Sequence, residues 1–314
     1  MKFIAVVLAA LLCVAFAVDQ MVIDQALIKT VNSHPRATWV AGENEVFKGK
    51  TMSQIRNMFG LFLLDKEFQQ SRDGKYSAGV NAQDIPKEFD SGKQWSQCKT
   101  INGIRNQGQC GSCWAFAGSE VLSDRFCVAT SGSFNEPLSP QDMVSCDKSD
   151  YGCQGGYLDK EWTYLETTGI VTDKCLPYKS GSGYVPACPT KCDSGSGAEF
   201  KKYKAKQGST KEYASVADAQ ADIIAHGPIM TGFKVYRDFF SYKSGVYRHV
   251  SGSFAGGHAV KITGWGVDAK TNTPYWIVAN SWGNTFGLNG FFWMERGNDE
   301  CDFESNLIAG DADV

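Results

Sequence analysis

Between positions 113 and 129, apolar residues recur on two adjacent helical stripes. Trp114, Ala117 and Val121 form one, and Ala115, Leu122 and Phe126 the other. Two stripes predict a helix buried on most sides, ended by Ser131-Gly132-Ser133. A second helix is predicted over 216–226, stopped by Gly227-Pro228. Beyond it the period changes. Ala259-Val260-Lys261-Ile262-Thr263 alternates as a strand does, and Tyr275-Trp276-Ile277-Val278-Ala279 is a continuous apolar run that predicts a strand buried on both faces. The Gly/Ser clusters at 180–183 and 194–197 predict loops. Helices early and strands late predict an α+β protein of two layers or lobes. No internal repeat is present.

The N-terminus has its own pattern. Residues 3–17 are apolar after Lys2 and close on Ala15-Phe16-Ala17, a small-residue cleavage pattern. This predicts a signal peptide over 1–17 rather than a membrane anchor, because the run is short for a span. No other segment is apolar enough to cross a bilayer, so a soluble product without membrane contact is expected. The next stretch, 18–84, contains no cysteine and balances eight basic against eight acidic residues. Its end, Asp73-Gly74-Lys75-Tyr76-Ser77-Ala78-Gly79, is loop-like and easy to nick. A cysteine-free stretch between a leader and a cysteine-rich body predicts a pro-segment. The alternative is a small structural N-terminal domain.

Composition narrows the class. Of 314 residues, 43% are hydrophobic and 21% charged, an ordinary globular balance, and the net charge of -3 gives nucleic acid nothing to bind. Eleven cysteines behind a leader predict disulfides. Cys13 departs with the leader, and the pairing of the other ten does not follow from their order. Cys188-Pro-Thr-Lys-Cys192 has the look of a zinc half-site but lacks a second half, so neither metal nor cofactor is expected. Asn272-Thr273-Pro274 fails as a glycan sequon, and no other is present.

The candidate chemistry begins at Gln107-Gly-Gln-Cys110-Gly-Ser-Cys113-Trp-Ala-Phe116, which puts Cys113 at the first turn of the buried helix. Unpaired N–H groups there favour a thiolate. A nearby imidazole favours it further, and a third group must orient that ring. Of the body's three histidines, His258 follows Gly256-Gly257 and enters a predicted strand. The strand at 275–279 runs into Asn280-Ser281-Trp282-Gly283, where Asn280 is a neutral acceptor for the ring and Trp282 a shield for the bond. Gln107 offers an amide N–H to an oxyanion, beside the backbone N–H of Cys113. Each residue alone reads more simply as structure; the set, in this order, reads as a nucleophilic site.

In these motifs the chain resembles papain-like cysteine peptidases of the cathepsin B type. His258 lies 145 residues after Cys113, within the spacing of that family, and Asn280 lies 167 after, slightly beyond it. Thr38-Trp-Val-Ala-Gly-Glu-Asn44, Ile85-Pro-Lys-Glu-Phe-Asp90, Gly152-Cys-Gln-Gly-Gly-Tyr157, Asp238-Phe-Phe-Ser-Tyr-Lys-Ser-Gly-Val-Tyr247 and Asn289-Gly-Phe-Phe292 are similar too. The resemblance implies a papain-like fold of a helical lobe and a β-barrel lobe flanking a cleft. It implies Cys113 as nucleophile, His258 as acid/base, Asn280 as orienter and Gln107 in the oxyanion hole. Trp282 would cover the triad, and Gly155 and Gly156 would line the cleft. It implies disulfides Cys98–Cys127, Cys110–Cys153, Cys146–Cys188 and Cys175–Cys192, leaving Cys113 and Cys301 free. The peptidase domain would span 85–314. The partners implied are protein and peptide substrates and the chain's own pro-segment as inhibitor, in a monomer of the lysosome, another acidic vacuole or the cell exterior.

Three departures sharpen the reading. Cathepsin B carries a long loop that blocks the primed end of the cleft with two adjacent histidines; here the matching stretch, Cys175 to Cys192, is short and has no histidine. An open cleft and endopeptidase cleavage are therefore expected, although Lys179 still offers a positive charge there. Asn306 stands where that type has a glutamate at the floor of the pocket for the second residue before the cut, so an apolar preference is expected there. Phe286 replaces a usual tryptophan, which predicts repacking only. The competing readings are a peptidyl-dipeptidase, a non-catalytic binding protein that kept the fold, a disulfide-rich structural protein and a metal-dependent enzyme.

Overall fold

The computed structural model describes residues 19–63 and 75–314. The expected leader lies outside the described residues, as do Asp73 and Gly74 of the nickable turn.

The N-terminal segment contributes helix α1 (Gln25–Ser33), strand β1 (Trp39–Ala41) and helix α2 (Met52–Ile55). Asp24 caps α1 by accepting from the N–H groups of Ala26 and Leu27. The segment is no free-standing unit: Trp39, Phe47, Ile55, Met58 and Leu61 are buried in one apolar cluster with the body. The body opens with strand β2 (Phe89–Asp90) and helix α3 (Ser91–Gln94). The helical lobe then consists of α4 (Cys113–Ala129), α5 (Pro140–Cys146) and α6 (Leu158–Thr167). Every residue of α4 from Cys113 to Cys127 is buried, as the double stripe predicts. Gly132, at φ +90°, donates back to the Cys127 carbonyl and closes it. Strand β3 (Lys211–Glu212) leads to helix α7 (Val216–His226), which starts on a Ser215 cap and stops at Gly227, φ +99°.

The strand lobe is one sheet. Strands β4 (Ile229–Tyr236), β5 (Tyr242–Tyr247), β6 (Phe254–Val267), β7 (Pro274–Ala279), β8 (Phe291–Glu295) and β9 (Ile308–Ala309) follow in the chain. Their spatial order is β1-β5-β8-β7-β6-β4-β9-β3, with β2 also on β6. The α+β division into helical and strand lobes is thus as the sequence predicts.

The strand expected at 259–263 forms within β6, and all five of its residues are buried. The polar face of β6 is covered by α4, whose Asp124 accepts a 2.8 Å hydrogen bond from Lys261 Nζ. Strand β7 is not buried on both faces: Tyr275 and Ile277 are half-buried, and Tyr275 stacks on Trp293 at 4.1 Å near the surface. Within the loop at 180–183, Ser180–Ser182 forms a single 3-10 turn, ended by Gly183 in the left-handed region.

Candidate active site

The first turn of α4 meets strand β6 at the cleft between the lobes. Cys113 is fully buried, and the backbone N–H groups of Ala259, Gly60 and Trp114 face its thiol and favour its anion. His258 precedes Ala259 on β6, on the strand that faces the first turn of α4. The register pairs His258 with Phe233 of β4, which holds the ring rigidly.

His258 Nε2 donates to Asn280 Oδ1 at 2.8 Å. Asn280 Oδ1 also accepts from the Ser281 N–H at 2.8 Å, so this oxygen is fixed as acceptor and the ring proton sits on Nε2. Nδ1 is buried with no hydrogen-bond partner among the described residues, so its lone pair is unengaged. Trp282 stacks on the ring at 4.6 Å and 29° and covers the bond to Asn280. His258, Asn280 and Trp282 therefore come together on one side, with Cys113 at the start of α4 facing Ala259, the residue after His258.

Gln107 joins them through a backbone zipper: Gln107 N–H donates to Ser281 O, and Gly283 N–H to Arg105 O, both at 2.9 Å. The Gln107 amide oxygen accepts from the Ser281 hydroxyl at 2.6 Å, which turns its NH2 group toward the cleft. That group donates to the Cys110 carbonyl at 2.8 Å and to the Met58 carbonyl of the N-terminal segment at 2.9 Å. A carbonyl of the chain's own segment thus holds the donor that the sequence assigns to an oxyanion. Ser281 was legible only as filler inside Asn-Ser-Trp-Gly; its hydroxyl orients Gln107.

The segment fills the cleft. Gly156 N–H donates to Gly60 O at 2.8 Å, and Phe62 N–H to Gly156 O at 3.1 Å, so Gly156 pairs backbone to backbone as expected for a cleft wall. Gly155, at φ +132°, leaves no room for a side chain: a Cβ there would lie 2.7 Å from Gly60 O. Leu61 lies over Gly232 of β4, where an added Cβ would come within 2.1 Å of Leu61 Cδ2, and Leu158 borders the same seat. Phe62 packs against Tyr151 and Tyr157. Asn306 is half-buried on the stretch entering β9, the strand beside β4. Phe286 is fully buried with its ring 5.1 Å from Trp282.

Covered in this way, the pair is uncharged. Burial pushes the Cys113 thiol up to about 11, against the helix N-terminus that alone would lower it. Burial brings His258 down to about 4, partly opposed by Asn280.

All four implied disulfides are formed, and Cys113 and Cys301 are free. The Cys301 thiol donates toward Glu300 Oε1 at 3.3 Å, and burial pushes it far above the ordinary thiol range, so it is no second nucleophile. Lys179, on the short 175–192 stretch, pairs with Asp193 at 2.5 Å. Asp222, His226 and Asp311 gather ligand atoms within 4.8 Å of one another. Arg125 already neutralises both carboxylates, at 2.5 Å and 3.1 Å. Among the described residues, no helix is long and apolar enough to cross a membrane.

Comparison with known proteins agrees with this geometry. Residues 85–310 match the model of the papain family of cysteine proteases. A cathepsin B-like cysteine proteinase of Schistosoma japonicum is 38% identical, over 92% of this chain and 90% of the relative. A gut-specific cysteine proteinase of Caenorhabditis elegans is 37% identical over the full length of both. Among solved structures, procathepsin B S9 from Trypanosoma congolense superposes with a TM-score of 0.83 at 31% identity, covering 94% of this chain and all of that one. The chain belongs to the papain family of cysteine proteases, in its cathepsin B-like branch.

Proposed function

We propose that the protein is a cysteine endopeptidase made as a zymogen, in which residues 18–84 are an inhibitory pro-segment and 85–314 the peptidase. The observation that carries this reading is the single carbonyl of Met58 on the Gln107 amide, with Gly60 and Leu61 laid along Cys113 and Gly156. The segment takes the donors a substrate needs. Once it leaves, water reaches Cys113 and His258, and a proton passes from Sγ to Nδ1.

The Cys113 thiolate then attacks the scissile carbonyl carbon. The oxyanion is met by the Gln107 amide and the Cys113 backbone N–H. His258 gives its proton to the departing amine as the thioester forms. Water attacks the thioester, His258 takes the water's proton, and the thiolate departs from the new carboxyl group. Asn280 holds the ring throughout.

Leu61 seated on Gly232 beside Leu158 supports an apolar preference two residues before the cut, as does the neutral Asn306. The Lys179–Asp193 pair supports an open primed side, because it occupies a cation of the short stretch that could otherwise hold a substrate's terminal carboxylate. The reading includes delivery through the secretory pathway to a lysosome, another acidic vacuole or the cell exterior.

The test is an acid-activated preparation, with Cys113→Ala beside it, and internally quenched peptides blocked at both ends. Leucine should exceed arginine at the second position before the cut by at least about tenfold. Release of dipeptides from free C-termini in preference to internal cleavage would replace the endopeptidase reading with a peptidyl-dipeptidase.

A further inference from the structure

The short 175–192 stretch does more than leave the cleft open. It is tied to the helical lobe by Cys146–Cys188 and to itself by Cys175–Cys192. Gln141 of α5 fixes it further: its Oε1 accepts from the N–H groups of Lys179 and Ser180 at 2.7 Å and 3.0 Å, and its amide donates to the Ser180 hydroxyl at 2.9 Å. From that base it reaches back to the catalytic turn. The Gln109 N–H donates to Gly181 O at 2.7 Å. The Tyr178 hydroxyl donates to the Gln107 carbonyl at 2.8 Å, and it accepts from the Ser112 hydroxyl at 2.8 Å. The Tyr178 ring meets Phe116 of α4 edge-on at 4.6 Å, which fixes where that hydroxyl sits.

The two residues it joins carry the two halves of the oxyanion hole. Gln107 supplies the side-chain amide, and the Ser112–Cys113 peptide supplies the backbone N–H. Ser112 makes no side-chain cap to α4, so its hydroxyl is given wholly to Tyr178. The turn between 107 and 113 carries Gly108 at φ +63° and Gly111, whose Cβ would strike Cys153 O at 2.6 Å; a turn built on glycine needs an outside brace to hold a fixed geometry. Burial holds the phenol up at about 12, so it stays a donor throughout the working range.

We infer that Tyr178 is a positioning residue for the oxyanion hole: one hydroxyl braces Gln107 and Ser112 together and so sets the distance between the two donors that meet the tetrahedral intermediate. The inference rests on the catalytic reading above and adds a role for the loop to it. Misplaced donors weaken the transition state more than the ground state, so the loss falls on kcat rather than KM.

The experiment compares the activated wild type with Tyr178→Phe, which keeps the ring on Phe116 and removes only the hydroxyl. The expected result is a fall in kcat of about tenfold with KM nearly unchanged. The inhibition constant of a peptide aldehyde, which binds as a tetrahedral adduct, should rise in parallel. The rate of Cys113 alkylation by iodoacetamide, which reports the thiolate–imidazolium pair and not the hole, should stay as in the wild type. If Tyr178→Phe does not fold, Ser112→Ala removes one arm of the brace and is read by the same three measurements. An unchanged kcat and aldehyde constant would overturn the inference. So would alkylation slowed as much as turnover, because the tyrosine would then act on the nucleophile. A wild type without thiol-dependent turnover or aldehyde inhibition would overturn the catalytic reading and this inference together.

Discussion

At the scale of single residues, the interior holds an acid that the chemistry does not use. Glu161 of α6 is fully buried, and neither of its oxygens has a hydrogen-bond partner among the described residues. It fits because α4 presents Gly118, where a Cβ would lie 1.7 Å from Glu161 Oε1. Burial, then Asp150 and Asp147, hold its carboxyl well above the usual range, and burial likewise pushes Asp150 up to about 7. The folded state therefore keeps protons that the unfolded chain gives up near pH 4. Stability from these groups is present below that pH and is lost as pH rises through their folded values. Glu161→Gln should flatten the decline in urea midpoint between pH 4 and pH 7, leaving the part due to Asp150; an unchanged slope would mean that Glu161 does not titrate there. Gly118→Ala should cost about 1–3 kcal/mol by overpacking. Adding Glu161→Ala to it should recover part of that loss, because the two residues contend for one space.

Between elements, the contact of α4 with β6 is where a buried charge does the joining. Lys261 Nζ, wholly buried, reaches Asp124 at 2.8 Å, the Thr100 carbonyl at 3.3 Å and Glu120 at 3.7 Å. Removing the lysine strands two carboxylates, so Lys261→Met should cost about 3–5 kcal/mol at neutral pH. The loss should shrink in acid, since burial already pushes Glu120 up to about 7 and protonation there removes the stranded charge. Denaturant melts at pH 7 and pH 4.5 decide it, and an equal loss at both would count against a charge effect. The same lysine marks the boundary of what the sequence carries. Periodicity locates α4 and β6 because each element's own residues encode it. It misassigns the second face of β7, because burial there depends on which distant element lands on it. Cys113, His258, Asn280 and Gln107 were legible as ordered motifs with a family resemblance behind them. Tyr178, Ser281, Gly60 and Gly232 were not, since each matters through a partner 30 or more residues away and none sits in a pattern of its own.

For the whole molecule, the question is what keeps so reactive a pair silent while the N-terminal segment is attached. Affinity is spread along the segment: β1 extends the sheet on β5, Asn44 donates to the carbonyls of Phe240 and Tyr242, and Phe47 packs edge-on against Trp282 at 5.4 Å. In the proposed zymogen the silencing contact is local and lies at Gly60. That residue passes so close to the turn before Cys113 that a Cβ would lie 1.8 Å from Gly111 O, and its backbone N–H faces the Cys113 thiol. Between about pH 4, the value to which His258 is lowered, and about 11, the value to which Cys113 is raised, the covered pair carries neither charge. A neutral thiol alkylates slowly, so the full-length protein should react with iodoacetamide at pH 6 far more slowly than the activated one. Gly60→Ala must lift the segment off the turn or shift Gly111, at an overpacking cost of about 1–3 kcal/mol, roughly a five- to hundredfold change in the closed equilibrium. Water then reaches Cys113, the desolvation that raised its thiol is relieved, and the N–H groups at the start of α4 favour the thiolate. Full-length Gly60→Ala should therefore alkylate at Cys113 at least about tenfold faster than the unaltered full-length chain, while β1 stays on β5 and the segment stays associated. Wild-type reactivity in that variant would move the control of silence away from Gly60 and onto the aromatic contacts around Trp282.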